Sequence, residues 1–506
     1  MMLHLTARVS CRGASWQAKV CIPMLPCFNR DMNPSTQKHL HILGICGTAM
    51  AAIAELAQES GWRVSGSDMG VYPPMSDYLA GLHIDIAPFH AQNLHPKPDL
   101  CVIGNAMSRG NVEVEEILNQ GLAYCSGPEF VGRYILPQRH AIVVSGTHGK
   151  TSTASMLAHV LACAGLSPGF LIGGIPENFG SGARLGEGEY FILEGDEYDT
   201  AFFDKRSKFL HYHARTLILN NLEYDHADIF PDLAAIQRQF AWLLRTVPSD
   251  GHIIINQNED NFSEVLQQGC WSPRTAFARY PDEHAAWQWE LLNADGSSFR
   301  IHYQQNIVME ITWSGIGAHQ VSNACAVVAT AAQLGLNMAT IAQGLSSFTG
   351  VRRRMSLVGE VDGVRIFDDF AHHPTAIQSV VSAAKAAMPQ SEGRLWVVLE
   401  PRSNTMRSQV HQQRLSGCFD DADAVLMIAP MKKGHESDED VLDVAQLCQS
   451  MGMKASVMPS VEDIVAHLQC HVHSGDDVLI LSNGAFEGIH QRLYQVLLNI
   501  QMNKDS

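Results

Sequence analysis

From Lys38 onward, short unbroken apolar runs alternate with longer apolar stretches of helix length, and glycine-bearing turns join them. HLHILGIC (39–46) predicts a buried strand, AMAAIAELAQESG (49–61) an apolar helix closed by Gly61, and WRVSGSD (62–68) the next strand. PDLCVIGNAM (98–107) predicts another strand that ends in a loop. The pattern restarts at YILPQRHAIVVSGTHGKTSTASMLAHVLACAG (134–165), with Pro137 as a linker residue. FILEGDEYD (191–199) and TLILNNLEYDHADIF (216–230) predict strands whose ends carry acids. A third restart follows GVRRRMSLVGEVDGVRIFDDFAHHP (350–374), with strands in RLWVVLEP, AVLMIAP and DVLILSNG. Such alternation predicts parallel sheets covered by helices on both faces. It implies an α/β chain of three domains, with borders near 139 and 349.

A length of 506 residues suits several cores rather than one. The composition, 46% hydrophobic and 17% charged, is that of an ordinary globular chain. Lys and Arg total 35 against 52 Asp and Glu, a net charge of −17, which argues against a nucleic-acid partner. The 12 cysteines form no C-x-x-C pair, so zinc-ribbon and thioredoxin chemistry fall away and free thiols in a reducing cytoplasm are expected. No stretch approaches the roughly 20 apolar residues of a membrane span. Residues 1–31 carry three cysteines, a single acid (Asp31) and no clear periodicity. A disordered extension over 1–37, or a true start at Met32, is the expectation.

Candidate chemistry sits where strands end. Gly44-Ile-Cys-Gly47-Thr48-Ala49-Met50 joins the first strand to the first helix, and Asp68 closes the second strand. Glycines there let a phosphate approach backbone N–H groups, and the acid stands at a ribose-binding distance. The spacing is not G-x-G-x-x-G, and a ligand-free tight turn has the same pattern. Ser145-Gly146-Thr147-His148-Gly149-Lys150-Thr151 follows a strand and opens a helix, the context of an ATP-phosphate loop. Val144 stands where the common P-loop has its first glycine. Lys150 would reach the β/γ-phosphate oxygens and Thr151 would ligate Mg²⁺. Glu194, beside Asp196 and Glu197, and then Asn221, Asp225 and His226, offer metal ligands at the next strand ends. His319 and Asn323 share one face of an apolar helix, where they could meet adenine or simply cap the helix. Arg353, within Arg352–Arg354, is expected to point at ATP phosphate. Asp368 to Pro374, with His372 and His373, is denser in polar groups than a strand end requires.

Together these segments resemble the Mur ligase family, over about residues 38–500. The loop [ST]-G-T-x-G-K-[ST], the E-x-D-E and N-x-x-x-D-H segments, the H-x-x-x-N helix and the arginine at the third domain's entry all appear in order. The resemblance implies a Rossmann-like UDP-sugar domain (38–138), a central P-loop ATPase-like domain (139–349) and a Rossmann-like acceptor domain (350–503). It implies ATP and Mg²⁺ as cofactors, with Thr151, Glu194 and His226 holding metal. His372 or His373 would assist the amine. GICGTAM, GSD and DDFAHHPT are similar to the branch that uses UDP-N-acetylmuramate. Three segments, GGIPENFGSGARLG, LEPRSNTMRS and LILSNGAFEGIH, lean away from the alanine-adding member. They favour the tripeptide L-Ala-γ-D-Glu-meso-diaminopimelate as acceptor, bound by Arg402, Arg407 and Asn483. Some family members carry a carbamylated lysine, but QRQFAWLLR (237–245) holds no lysine near its expected place. The resemblance further implies a monomer or weak homodimer in the cytoplasm. Rival readings are L-alanine addition, a dinucleotide oxidoreductase and a non-catalytic UDP-sugar sensor.

Overall fold

A computed structural model describes residues 37–72, 75–389, 393–430 and 440–505. The expected N-terminal extension, residues 1–37, lies outside the described residues except for Gln37. From Lys38 the chain forms one compact unit built on three main sheets.

The first sheet is parallel throughout, in the order Ile86–Ala87, Arg63–Ser67, His39–Leu43, Leu100–Ile103, Tyr124–Ser126. Its central strand, HLHIL, is buried at every position, as a strand covered on both faces must be. The second sheet has ten strands: Asn306–Thr312, Ser298–Tyr303, Trp287–Leu291, Arg274–Arg279, His252–Asn256, Thr216–Leu219, His140–Ser145, Tyr190–Gly195, Gly169–Leu171 and Ala183–Arg184. It is parallel from Trp287–Leu291 to Gly169–Leu171 and antiparallel at both margins. The third sheet runs Ser356–Val361, Val364–Asp369, Asp477–Leu481, Leu395–Leu399, Ala424–Ile428, Ala455–Met458, with only its first pair antiparallel.

Two sets of adjacent strand ends matter for function. In the central sheet, Thr216–Leu219, His140–Ser145 and Tyr190–Gly195 are neighbours, so their C-terminal ends open side by side. In the third sheet, Val364–Asp369, Asp477–Leu481 and Leu395–Leu399 do the same. Parallel α/β sheets place ligands in the crevice beyond such ends, because every crossover leaves its loop there.

The helix Lys150–Cys163 packs against the long helix Ala318–Gln333 under the same sheet. Ala, Val and Cys on the long helix let the two approach, and Ala324 to Ala329 are fully or nearly fully buried. Among the described residues no helix is long and apolar enough to cross a membrane. All described cysteines are free thiols.

Candidate active site

The loop between His140–Ser145 and Lys150–Cys163 is fixed by three asparagines. Gly146 takes φ +152, and a side chain there would press on Asn221. The His148 N–H donates to Asn221 Oδ1 (2.9 Å), and Asn221 Nδ2 donates back to the His148 carbonyl (3.0 Å). Gly149 sits at φ +79 against Asn323, whose Oδ1 would lie 2.8 Å from an added Cβ. Asn323 also accepts from Asn220 Nδ2 at 3.4 Å. The helix Ala318–Gln333 thus meets the loop directly through Asn323. Ser145 is buried, its hydroxyl donating to the Gly195 carbonyl at 3.1 Å. Thr147 Oγ1 donates to the Glu223 carbonyl and accepts the Glu223 N–H.

Lys150 turns back over this loop. Its Nζ donates to the Gly146 carbonyl (2.7 Å) and to Glu197 Oε2 (2.9 Å), with Asp196 at 3.7 Å. Burial alone would lower the ammonium's pKa, but Glu197 and Asp196 hold it above its ordinary value. His226 Nε2 lies 3.1 Å from the other oxygen of Glu197, and His226 adopts a left-handed φ of 52. Burial opposes charge on His226, yet Glu197 raises its pKa. Glu197 therefore bridges the loop lysine and the strand-end histidine, with its own carboxyl held down to about 2 by Lys150 and His226 against the effect of burial.

Glu194 accepts the Gly173 N–H at 2.8 Å. Burial and the neighbouring Asp196 push its pKa up. Two carboxylates facing one place favour a cation between or beside them. Among the described residues no three His, Cys, Asp or Glu side chains converge tightly enough to hold a metal alone. The Glu194 carboxylate and the Thr151 hydroxyl are oxygen donors of the kind Mg²⁺ takes, the rest of its shell being phosphate oxygens and water.

The arginine that reaches the loop is Arg354, not Arg353. Arg354 Nη2 donates to Thr151 Oγ1 at 3.2 Å. Arg353, with a left-handed φ of 60, turns into the third sheet, where it pairs with Asp368 (3.1 Å) and donates to the Ser482 and Gly484 carbonyls. A cavity of about 410 Å³ opens beside Arg354, lined among others by Ser152, Met156, Gln320, Thr349 and Phe367. His319 stands one residue before Gln320; burial, with His148 and Arg354 adding, lowers its pKa to about 4.

His372 and His373 lie between the central strand ends and the third sheet. His372 Nδ1 meets the Phe370 carbonyl (3.0 Å), and burial lowers the ring's pKa. His373 Nε2 lies 3.3 Å from the Tyr224 carbonyl, and burial brings its pKa down to about 4. At the ends of the third sheet, a side chain at Gly484 would collide with Arg402, so that arginine lies across the Ser482–Gly484 turn. Asn483 Oδ1 is buried without a hydrogen-bond partner among the described residues. Arg407 is buried, and Arg402 is half exposed.

At the first sheet, Gly44 takes φ 75 and Gly47, Thr48 and Ala49 lie exposed at the start of the helix Thr48–Glu59. Met50 instead is buried, packed beside Gly104 and Gly127. Asp68 gives its two oxygens to the Cys46 and Gly70 N–H groups, both at 2.9 Å, which shapes the turn from within.

Three known domains cover this chain in order. The Mur ligase family catalytic domain matches residues 39–139, the Mur ligase middle domain 144–331, and the Mur ligase glutamate ligase domain 353–484. This chain belongs to the Mur ligase family. Within it, this Mur ligase is 44% identical over 462 residues to the UDP-N-acetylmuramate–L-alanyl-gamma-D-glutamyl-meso-2,6-diaminoheptandioate ligase of Haemophilus influenzae, covering 91% of this chain and 99% of that one. A crystal structure of a murein peptide ligase from Psychrobacter arcticus 273-4 superposes with a TM-score of 0.69 at 41% identity, covering 91% and 98% of the two chains. Similarity to a UDP-N-acetylmuramate–L-alanine ligase of Clostridium novyi is lower, 29% over 460 residues, covering 90% and 96%.

Glu197, Arg354 and Glu223 belong to this site by geometry; from sequence the first two stand out only as members of a cluster, and Glu223 not at all. Glu197 lies within the E-x-D-E segment and Arg354 within the arginine run. No local signal marks Glu223.

Proposed function

We propose that this Mur ligase joins L-Ala-γ-D-Glu-meso-diaminopimelate to the lactyl carboxylate of UDP-N-acetylmuramate, consuming ATP and releasing ADP and phosphate. The observation that carries this reading is the 44% identity, over nearly all of both chains, to a ligase named for that reaction. Identity to an alanine-adding ligase is 29% over a similar span. The reaction belongs to the reuse of cell-wall peptide in the cytoplasm.

The chemistry follows from the site. A carboxylate is a poor electrophile because oxide would have to leave. Transfer of the γ-phosphoryl gives an acyl phosphate, from which phosphate leaves readily. Both partners of that transfer are anions, so cations must gather around them. Lys150 and Arg354 supply two. Lys150 would exchange its bond to Glu197 for phosphate oxygens. Thr151, Glu194 and His226 would hold Mg²⁺, which neutralises phosphate charge when bound. The cavity beside Arg354 has room for the adenosine, with His319 and Asn323 on the adjoining helix. The exposed start of Thr48–Glu59 would take the UDP diphosphate, with Asp68 shaping its turn. Arg402, Arg407 and Asn483 would bind the tripeptide's carboxylates and amide groups, since guanidinium forks match carboxylates. The alanyl amine must shed a proton before attack. His372 or His373, both kept neutral by burial, would assist by offering a ring nitrogen as hydrogen-bond acceptor to the amine.

Mass spectrometry of a reaction with ATP, Mg²⁺, UDP-N-acetylmuramate and the tripeptide tests the proposal. The expected product is the UDP-N-acetylmuramoyl tripeptide. Its absence while ATP is bound would sink the reading.

A further inference from the structure

The carboxylate of Glu223 is divided between two parts of the molecule. Its Oε1 lies 3.2 Å from His148 Nε2, in the middle of the ATP loop. Its Oε2 accepts from Thr375 Oγ1 (2.8 Å) and from Arg414 Nη2 (3.1 Å), both in the third domain. Arg414 Nη2 also lies 3.3 Å from Thr375 Oγ1, closing a three-membered cluster. The backbone of Glu223 is pinned by its two hydrogen bonds with Thr147. Glu223 is thus rigid on the central side and reads the third domain with one oxygen.

The partners are informative by their place in the chain. Thr375 stands two residues after His373, in the first turn of the helix Pro374–Ala387. Arg414 follows Arg407, in the short helix Gln412–Leu415. Both segments that would present the acceptor therefore reach the same carboxylate. Two other third-domain residues stand at the ATP loop, Arg354 at Thr151 Oγ1 (3.2 Å) and His373 with its ring 6.2 Å from that of His148, whereas Ala227 N–H to Thr405 Oγ1 and Asn404 to Asp228 do not touch it. The side chain of Glu223 is largely buried, so losing one partner there costs more than at the surface.

We propose that Glu223 is a positioning residue that couples docking of the third domain to the arrangement of the ATP loop. The inference rests on the ligase reading above. Its chemical value lies in timing. An acyl phosphate formed before the amine is in place reacts with water, giving back carboxylate and phosphate, and ATP is spent without an amide. A carboxylate that orders His148 only when Thr375 and Arg414 are seated ties phosphoryl transfer to an assembled acceptor site.

The test compares the wild type with Arg414→Ala, Arg414→Lys, Thr375→Val and Glu223→Ala as full-length proteins. The Arg414 side chain is about half exposed (55%), so its removal should leave folding intact even if Glu223→Ala does not fold. Phosphate and amide are measured in the same reaction, and ATP affinity is measured separately by calorimetry without acceptor. The wild type should release one phosphate per amide. Arg414→Ala should release phosphate in excess of amide and weaken ATP binding about 5-fold or more, with Arg414→Lys nearer to wild type. A merely structural role would lower both products together and leave their ratio at one. Unchanged ATP affinity and an unchanged ratio in Arg414→Ala and Thr375→Val would overturn the proposal. A wild type that makes no amide from the tripeptide would overturn the ligase reading instead. The calorimetric comparison would still decide the coupling.

Discussion

The guanidinium of Arg354 lies 3.2 Å from the hydroxyl of Thr151, across 203 residues of sequence. The entry to the third domain thereby reaches the proposed phosphate site. Arg354→Ala should lower kcat/KM for ATP by about 100-fold or more, the scale for losing a charged donor at a transferring group. Arg353→Ala should instead leave the Ser482 and Gly484 carbonyls short of a donor, costing about 1–3 kcal/mol of stability with a smaller effect on turnover. Steady-state kinetics and urea titration of the two variants separate these outcomes; equal kinetic defects would contradict the assignment.

Lys150 and Glu197 form a buried pair, and each depends on the other. Lys150→Ala should abolish phosphate release and destabilise the fold, by at most about 3–5 kcal/mol, because buried Glu197 is left with His226 as its one remaining cationic partner. Adding Glu197→Gln should recover much of that stability and none of the activity. Urea midpoints of the single and double variants check this, and a double variant no more stable than Lys150→Ala would refute it.

Much of the site is legible in sequence because its parts are local. Gly-Lys-Thr at a strand-to-helix junction fixes the loop, and the acids at adjacent strand ends need only the right strand order. Arg353 and Arg354 are not separable that way. Consecutive residues at a turn point in different directions, and the left-handed φ of Arg353 decides which one faces Thr151. Glu197 is hidden among three acids of one segment, since only the fold shows which one meets Lys150. Glu223 has partners 152 and 191 residues away, a relationship no local pattern carries. The antiparallel margin of the central sheet, residues 287–312, also escapes the strand–helix alternation on which the three-domain reading rests.

Glu194 and its neighbour Asp196 make a site that a divalent cation would relieve. EDTA should stop phosphate release, and excess Mg²⁺ should restore it. Glu194→Ala should raise the Mg²⁺ concentration needed for half-maximal rate by about 10-fold or more. A rate indifferent to chelation would exclude this use of Glu194.

His39, far from the loop in the first sheet, supplies a pH prediction. Burial, with Arg63 and His41 adding, lowers its pKa from 6.5 to about 4. The unfolded chain therefore takes up a proton that the folded chain refuses. The resulting stability is fully present above pH 6.5, is lost as pH falls toward 4, and stays lost below. Other buried histidines act in the same direction, so His39→Gln should flatten the fall in urea midpoint between pH 7.5 and 5 without removing it. An identical fall in the variant would show that His39 titrates normally in the fold.

The central claim is the identity of the acceptor. The most direct measurement is the rate of phosphate release from ATP with UDP-N-acetylmuramate and Mg²⁺, with either L-alanine or L-Ala-γ-D-Glu-meso-diaminopimelate added. The tripeptide should drive release and L-alanine should not, and Arg402→Ala should raise the KM for the tripeptide while leaving that for ATP unchanged. Release driven by L-alanine alone would contradict the account and assign LEPRSNTMRS and LILSNGAFEGIH to some purpose other than holding a peptide.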